Sequence, residues 1–248
     1  MTKIAVLTDI HGNATALKAV LAEIDARNDI EHIYCAGDMI GIGPDTNEVL
    51  GLLFARNDVS MVTGNHDEAI LSLIEEKEYP TSHHETKEHH QWVAKHLDRT
   101  YIPILKKLPR MIHKNIEGHS ILMTHYHIKP AKLLDPICFD PFSKIVKPSL
   151  HNMASLFNEY EARLILFGHH HPVHYFKNEQ TIYLNPGSLG CSHQETAPYA
   201  IVEITPAELK INLQEADYDK TSFIAAYEHL KVPDRDFILK VFHGTSQV

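Results

Sequence analysis

Five short apolar runs in this chain each end in a residue able to ligate a metal, and that repetition constrains the fold more than any other feature. Lys3-Ile4-Ala5-Val6-Leu7-Thr8 leads to Asp9 and His11, and His32-Ile33-Tyr34-Cys35-Ala36 leads to Gly37-Asp38. Asp58-Val59-Ser60-Met61-Val62-Thr63 leads to Gly64-Asn65-His66-Asp67, and Ser120-Ile121-Leu122-Met123-Thr124 leads to His125. Arg163-Leu164-Ile165-Leu166-Phe167 leads to Gly168-His169-His170-His171-Pro172. Each run reads as a strand. Ligands of open α/β sheets collect at the carboxyl ends of strands, so five such ends predict one site. Asp9 and His11 stand two apart, as do His169 and His171, and on extended backbone that spacing puts both side chains on one face. Each signal is weak alone in a chain with 20 histidines; their number and order carry the reading.

The 248 residues suffice for one substantial core, and the expected unit is a single domain over 1–248. A formal net charge of −9 argues against broad electrostatic capture of duplex nucleic acid, which needs a basic footprint. Nucleotides remain open as ligands, because bound cations make a single cleft locally positive. Cys35, Cys138 and Cys191 are widely spaced, odd in number and without a Cys-x-x-Cys pair, so reduced thiols in a cytoplasmic protein are expected. The first apolar run leads straight into Asp9, unlike a signal peptide, and no apolar stretch approaches a membrane span.

Between the strand ends the pattern alternates. Asn13 suits a helix N-cap ahead of Ala16, Leu17, Val20, Leu21 and Ile24 at helical spacing. Gly41-Ile42-Gly43-Pro44-Asp45 lacks the Gly-Lys-Ser/Thr ending of a P-loop and reads as turn chemistry before a helix carrying Val49, Leu50, Leu52 and Leu53. A further helix is expected from Glu68 towards Glu76. Residues 78–110 break the alternation, with His83, His84, His89, His90 and His96 interleaved with acids and lysines. This stretch predicts a helical cap beside the site, its histidines solvated, with Trp92, Val93, Leu97 and His96 on the inner face. Met111 to Ile116 and Ser120 to Thr124 flank Glu117-Gly118 as a hairpin. After an irregular, proline-interrupted 130–148 come a helix near 150–161, strands near 175–176, 181–184, 199–202 and 209–213, and helices near 219–230 and 234–242.

Asp9-Ile10-His11, Gly37-Asp38, Gly64-Asn65-His66-Asp67, a histidine after a mid-chain strand and Gly168-His169-His170-His171, in that order, resemble the calcineurin-like metallophosphoesterase superfamily. Asn185-Pro186-Gly187-Ser188-Leu189-Gly190 resembles a segment of its small bacterial members. The resemblance implies an α/β fold, an αββα four-layer sandwich of two mixed β-sheets flanked by helices, with the metal site at the strand C-terminal ends. It implies two divalent metal ions, manganese, iron, zinc or nickel. One would take Asp9, His11, Asp38 and His171, the other Asp38, Asn65, His125 and His169, with Asp38 bridging. Two such ions with two aspartates leave a charge of about +2, which attracts a phosphate ester.

His66 follows a ligand position and is the expected catalytic residue, stabilising the transition state or protonating the leaving oxygen. Asp67 either orients its imidazole or caps a helix. His127 is a candidate substrate contact, a backbone-bonded histidine being the alternative. Gly37-Asp38-Met39-Ile40-Gly41 lacks the Asp-Arg pair that follows the first glycine-aspartate in Ser/Thr protein phosphatases of the superfamily, so that class is disfavoured. The expected activity is hydrolysis of a small phosphodiester or nucleotide. A phosphomonoesterase or asymmetric dinucleoside-polyphosphate hydrolase is the alternative enzyme, and a non-catalytic scaffold of the same fold the alternative from another class.

Overall fold

The computed structural model describes residues 1–245. Its strands are β1 (Thr2–Leu7), β2 (His32–Cys35), β3 (Val59–Met61), β4 (Met111–Ile116) and β5 (His119–Thr124). They continue with β6 (Leu164–Leu166), β7 (His174–Lys177), β8 (Ile182–Asn185), β9 (Thr196–Ile204) and β10 (Leu209–Asp217). One sheet has the order β10-β9-β1-β2-β3, parallel from β1 to β3 and antiparallel at β9 and β10. The other has the order β4-β5-β6-β8-β7, parallel across β5, β6 and β8. The expected four-layer sandwich of two mixed sheets is the observed fold.

Period-two alternation builds the layers. Ile4 and Val6 of β1 face the second sheet and pack with Ile121, Met123, Leu164 and Leu166. Ala5 and Leu7 face the other way, towards α1 (Ala14–Asp25) and α2 (Thr46–Phe54). On the far side Leu122 and Ile165 meet Met153 of α6 (Leu150–Leu156) and Phe157 just beyond it. The hairpin turns at Glu117 and Gly118, both at positive φ, which matches the right-handed strand twist. Among the described residues no helix is long and apolar enough to cross a membrane.

Two expectations need correction. The helix expected from Glu68 is α3 (Asn65–Ile74), which starts three residues earlier. Asp67 accepts from the Gly64 N–H at 2.9 Å and so caps the helix from within its first turn. The segment 78–110 forms a 3₁₀ stretch (Thr81–Thr86), α4 (Lys87–His96) and α5 (Ile102–Leu105). Its apolar side, Val93, Ala94, Leu97 and Leu105, belongs to the same core cluster as α1 and α2. The inner face of α4 carries His89 and His90, both fully buried, while His96 is exposed. The exposed positions Lys87, Glu88, Gln91 and Lys95 mark the solvent side, and the helix is turned so that two histidines face inward. Two helices close the fold, α7 (Lys220–His229) and α8 (Arg235–Phe242).

Leu166, fully buried between the sheets, tests this layering. Leu166→Ala is expected to cost about 2–5 kcal/mol, read as a lower urea midpoint. Leu213→Ala, on β10 and 42% exposed, is expected to shift stability by no more than about 0.5 kcal/mol. Equal costs would contradict the assigned faces.

Candidate metal centre

The carboxyl ends of β1, β2, β5 and β6 meet at one edge of the sandwich. Backbone bonds tie the loops beyond them together: Asp9 N–H to the Gly37 carbonyl, His11 N–H to the Asp38 carbonyl and Gly168 N–H to the His125 carbonyl, all at 2.8–3.0 Å. The seven residues Asp9, His11, Asp38, Asn65, His125, His169 and His171 converge here. Asp9, His11 and Asp38 form one group whose ligand atoms lie within 4.8 Å of one another; Asp38, His125 and His169 form another. Asp38 is common to both. Its Oδ2 lies 3.1 Å from His125 Nε2 and 3.9 Å from His11 Nε2, while its Oδ1 accepts the His66 N–H at 2.8 Å.

The backbone route to this convergence differs from the expected one. Asp9, His11, Asp38 and His169 have φ of 51°, 48°, 50° and 67°. These positions are left-handed, not extended, so the two-apart, same-face argument fails even though the side chains meet. Such conformations cost of order 1–3 kcal/mol each and persist only where the surroundings hold them. Asn185 to Gly190 does much of the holding. The Ser188 hydroxyl and the Gly190 N–H donate to the Asp9 carbonyl, Leu189 N–H donates to Thr8, and Asn185 Nδ2 donates to the His170 carbonyl. Gly168 and Gly190 permit this closeness: a Cβ on the first would overlap Thr8 and Asp9, and on the second the Ile10 carbonyl.

The donor set fits a cation. Asp9 and Asp38 are buried, and among the described residues neither has a Lys or Arg partner. His125 Nδ1 donates to the Ala36 carbonyl at 2.8 Å, so a neutral ring presents a bare Nε2 to Asp38 Oδ2 and, at 2.9 Å, to Asn65 Oδ1. His11 and His171 turn their Nε2 atoms to each other at 3.1 Å. Lone pairs facing lone pairs in a buried space call for a shared positive charge. Without a metal, protons supply it unevenly. Burial pushes His125 down, yet the Asp38 carboxylate more than offsets this and raises it to about 9. Burial, helped by the charge on His125 and opposed by Asp38 and Asp9, lowers His169 to about 3. Burial also lowers His171, to about 4, despite Asp9.

Asn65 and His66 occupy the first turn of α3, where successive side chains diverge by about 100°. Asn65 Oδ1 points to His125 and to His169 Nδ1, at 2.7 Å, while its Nδ2 bonds His83 Nε2 at 2.7 Å. His83 thereby sets which end of the amide meets the cluster. His66 Nδ1 bonds His90 Nε2 at 2.8 Å. The solvated reading of these histidines is thus corrected: His83 lines the cleft and His90 lies beneath His66. Their sequence signal was only the polar stripe on the opposite side of α4. Asp67 does not reach the His66 ring; it accepts from Gly64 and Ile40 N–H groups. His127 is also corrected as a cleft contact. It bonds Ser143 Oγ at 2.8 Å, packs on Phe157 and Tyr160, and lines a separate cavity.

The cleft over the cluster holds about 390 Å³ and is lined by Asn65, His66 and His169. Phe142 stands on one side, Phe237 and Phe242 of α8 on the other, and Lys144 is the one lysine or arginine among the described lining residues, beside Glu85 and Asp140.

Residues 2–206 match the calcineurin-like phosphoesterase superfamily domain, and the chain belongs to that superfamily. An uncharacterised protein of Methanocaldococcus jannaschii is 29% identical over 223 residues, 87% of this chain and 88% of that one. A 66-residue stretch is 35% identical to the symmetrical bis(5'-nucleosyl)-tetraphosphatase of Pectobacterium atrosepticum, 26% of this chain and 24% of that enzyme. A hypothetical protein from Pyrococcus horikoshii OT3 shares the fold over the whole of both chains, with TM-score 0.80 at 21% identity. A metallophosphoesterase from Sphaerobacter thermophilus does so over 98% and 99% of the two chains, with TM-score 0.73 at 19% identity.

His125 yields a pH prediction for metal-stripped protein. A pKa raised from 6.5 to about 9 contributes stability that is fully present below 6.5 and lost as pH rises through 9. The thermal midpoint should fall across that window. Manganese uptake near pH ~7.5 must displace the proton from His125, so calorimetry in buffers of different ionisation enthalpy should record proton release. Uptake without release would contradict the placement of His125 at the centre.

Proposed function

We propose that this chain is a metal-dependent phosphodiesterase acting on a small phosphodiester or nucleotide. The observation that carries the reading is the position of Asp38, between two clusters of ligand atoms and bonded to the first turn of the helix that presents His66. Asp9, His11, Asp38 and His171 would hold one divalent ion, and Asp38, Asn65, His125 and His169 a second. Bound there, such ions supply the Lewis acidity that activates water and offsets phosphoryl charge. Asn65 adds a neutral oxygen and the histidines neutral nitrogens, so the centre keeps a net positive charge for an anionic ester. His66 stands over the cluster, 5.0 Å ring to ring from His11. From there its doubly protonated ring would give the proton on the cleft-facing nitrogen to the leaving oxygen as the phosphorus–oxygen bond breaks.

The lining supports a diester. Lys144 accompanies the acids Glu85 and Asp140, and Arg110 outside the cleft is committed to Glu68. A polyphosphate tail would find little to balance its charge, whereas a singly charged diester needs less. Phe142 and Phe242 offer flat apolar surface to an aromatic group on the substrate. Similarity to the tetraphosphatase over part of the chain supports a second reading, hydrolysis of a dinucleoside polyphosphate.

Turnover of bis-p-nitrophenyl phosphate with manganese is expected to exceed that of the monoester, and the reverse order would overturn the diester preference. Asp38→Asn should lower metal content and turnover together. His66→Ala should keep its metal while turnover falls by roughly 10²–10⁴-fold. If His66→Ala loses metal as Asp38→Asn does, the roles are misassigned.

A further inference from the structure

The side of His66 turned away from the cleft ends in a chain of hydrogen bonds whose far end is a backbone carbonyl, shared with the Thr86 hydroxyl, that can only accept. His66 Nδ1 lies 2.8 Å from His90 Nε2, and His90 Nδ1 lies 2.8 Å from the Tyr79 hydroxyl. That hydroxyl donates to the backbone carbonyl of His83 at 3.0 Å. The carbonyl has no proton to give and the phenol has one. With that proton on the His83 carbonyl, Tyr79 must accept from His90 Nδ1–H. His90 is fully buried and, among the described residues, makes no ion pair with a carboxylate. Its neutral ring therefore offers a bare Nε2 to His66, and His66 must carry its proton on Nδ1. The other nitrogen of His66, Nε2, has no hydrogen-bond partner among the described residues, and the ring lines the cleft.

We propose that His90, anchored by Tyr79, is a positioning residue that holds His66 in the Nδ1–H tautomer and turns its Nε2 to the substrate. Proton exchange at His66 is then confined to Nε2, because Nδ1 stays bonded to His90 whether the ring is neutral or charged. The inference rests on the phosphoesterase reading for its kinetic consequence, but not for the tautomer itself. It gives His66 an orienting partner although Met39 and Ile40, and no acid, follow Asp38. A neutral imidazole orients the ring without adding negative charge beside a centre that must attract an anion. Gly41 also packs closely on His66, where a Cβ would press on its Cβ and Nδ1.

The test combines kinetics with a direct view of the protons. Nitrogen-15 NMR of histidine-labelled protein should show His66 with Nδ1 protonated and Nε2 bare. The isosteric Tyr79→Phe and the shorter His90→Ala should both shift it towards the Nε2–H form. In turnover, His90→Ala should lower kcat by about 10–10²-fold with KM and metal content kept, more for poor leaving groups than for good ones. His90→Gln, whose amide oxygen can accept from His66, should recover part of the loss. In a His66→Ala background, His90→Ala should cost nothing further. A wild-type His66 protonated on Nε2, a tautomer unmoved by both Tyr79→Phe and His90→Ala, or an additive loss in the double variant would overturn the proposal. Should the protein hydrolyse no phosphate ester, the NMR result still decides the positioning role, and only the proposed function falls.

Discussion

Two carboxylates buried without a lysine or arginine partner among the described residues are the constraint on which the rest of this fold depends. Asp9 and Asp38 sit where β1 and β2, neighbouring strands of one sheet, end, and burial of charge there is tolerable only if positive charge arrives from elsewhere. Histidines surround them, supplied by both sheets and by loops from across the chain. The αββα stack brings those loops to one edge. The strained turns at Asp9, His11, Asp38 and His169 then aim the side chains inward. The scaffold concentrates groups that could hold a cation, and bonds from the Asn185–Gly190 segment brace the turns that carry them.

Much of this was legible in the sequence, for identifiable reasons. Strand ends are marked by apolar runs stopping at Asp or His, and the hairpin by Glu117-Gly118. The seven residues that converge at the edge stood out in the sequence because Asp, Asn and His recur in order at the strand ends. What was not legible depended on rotation or on distance. The inward aim of His89 and His90 follows from how α4 is turned about its axis, which packing decides more than any motif. The start of α3 at Asn65 depended on Asp67 reaching back to Gly64, a local bond that the acidic residue alone could not distinguish from surface charge. Phe237 and Phe242 reach the cleft only because α8 folds back over it, and nothing in their local pattern indicates that.

His127 is instructive as the converse case. Its spacing from His125 matched that of the other two-apart pairs, yet spacing is informative only with the backbone conformation that gives it meaning. Beyond His125 the chain turns into the second sheet's outer layer, where Phe157 and Tyr160 receive the ring. The same rule that seemed to join Asp9 with His11 succeeded there through left-handed turns, and so for a reason other than the one that suggested it.

The pairing of β1 carries a consequence for how the molecule is made. This strand lies in the middle of its sheet, flanked on one side by β2 and on the other by β9, whose residues 196–204 emerge from the ribosome long after it. Until then one edge of β1 stays open, and the turn at Asp9 lacks the Ser188 and Gly190 bonds that brace it. The nascent chain therefore carries most of its ligands before it can hold them in place. Closure of such distant pairings is entropically slow, so the centre is assembled as a late, cooperative event of synthesis rather than strand by strand.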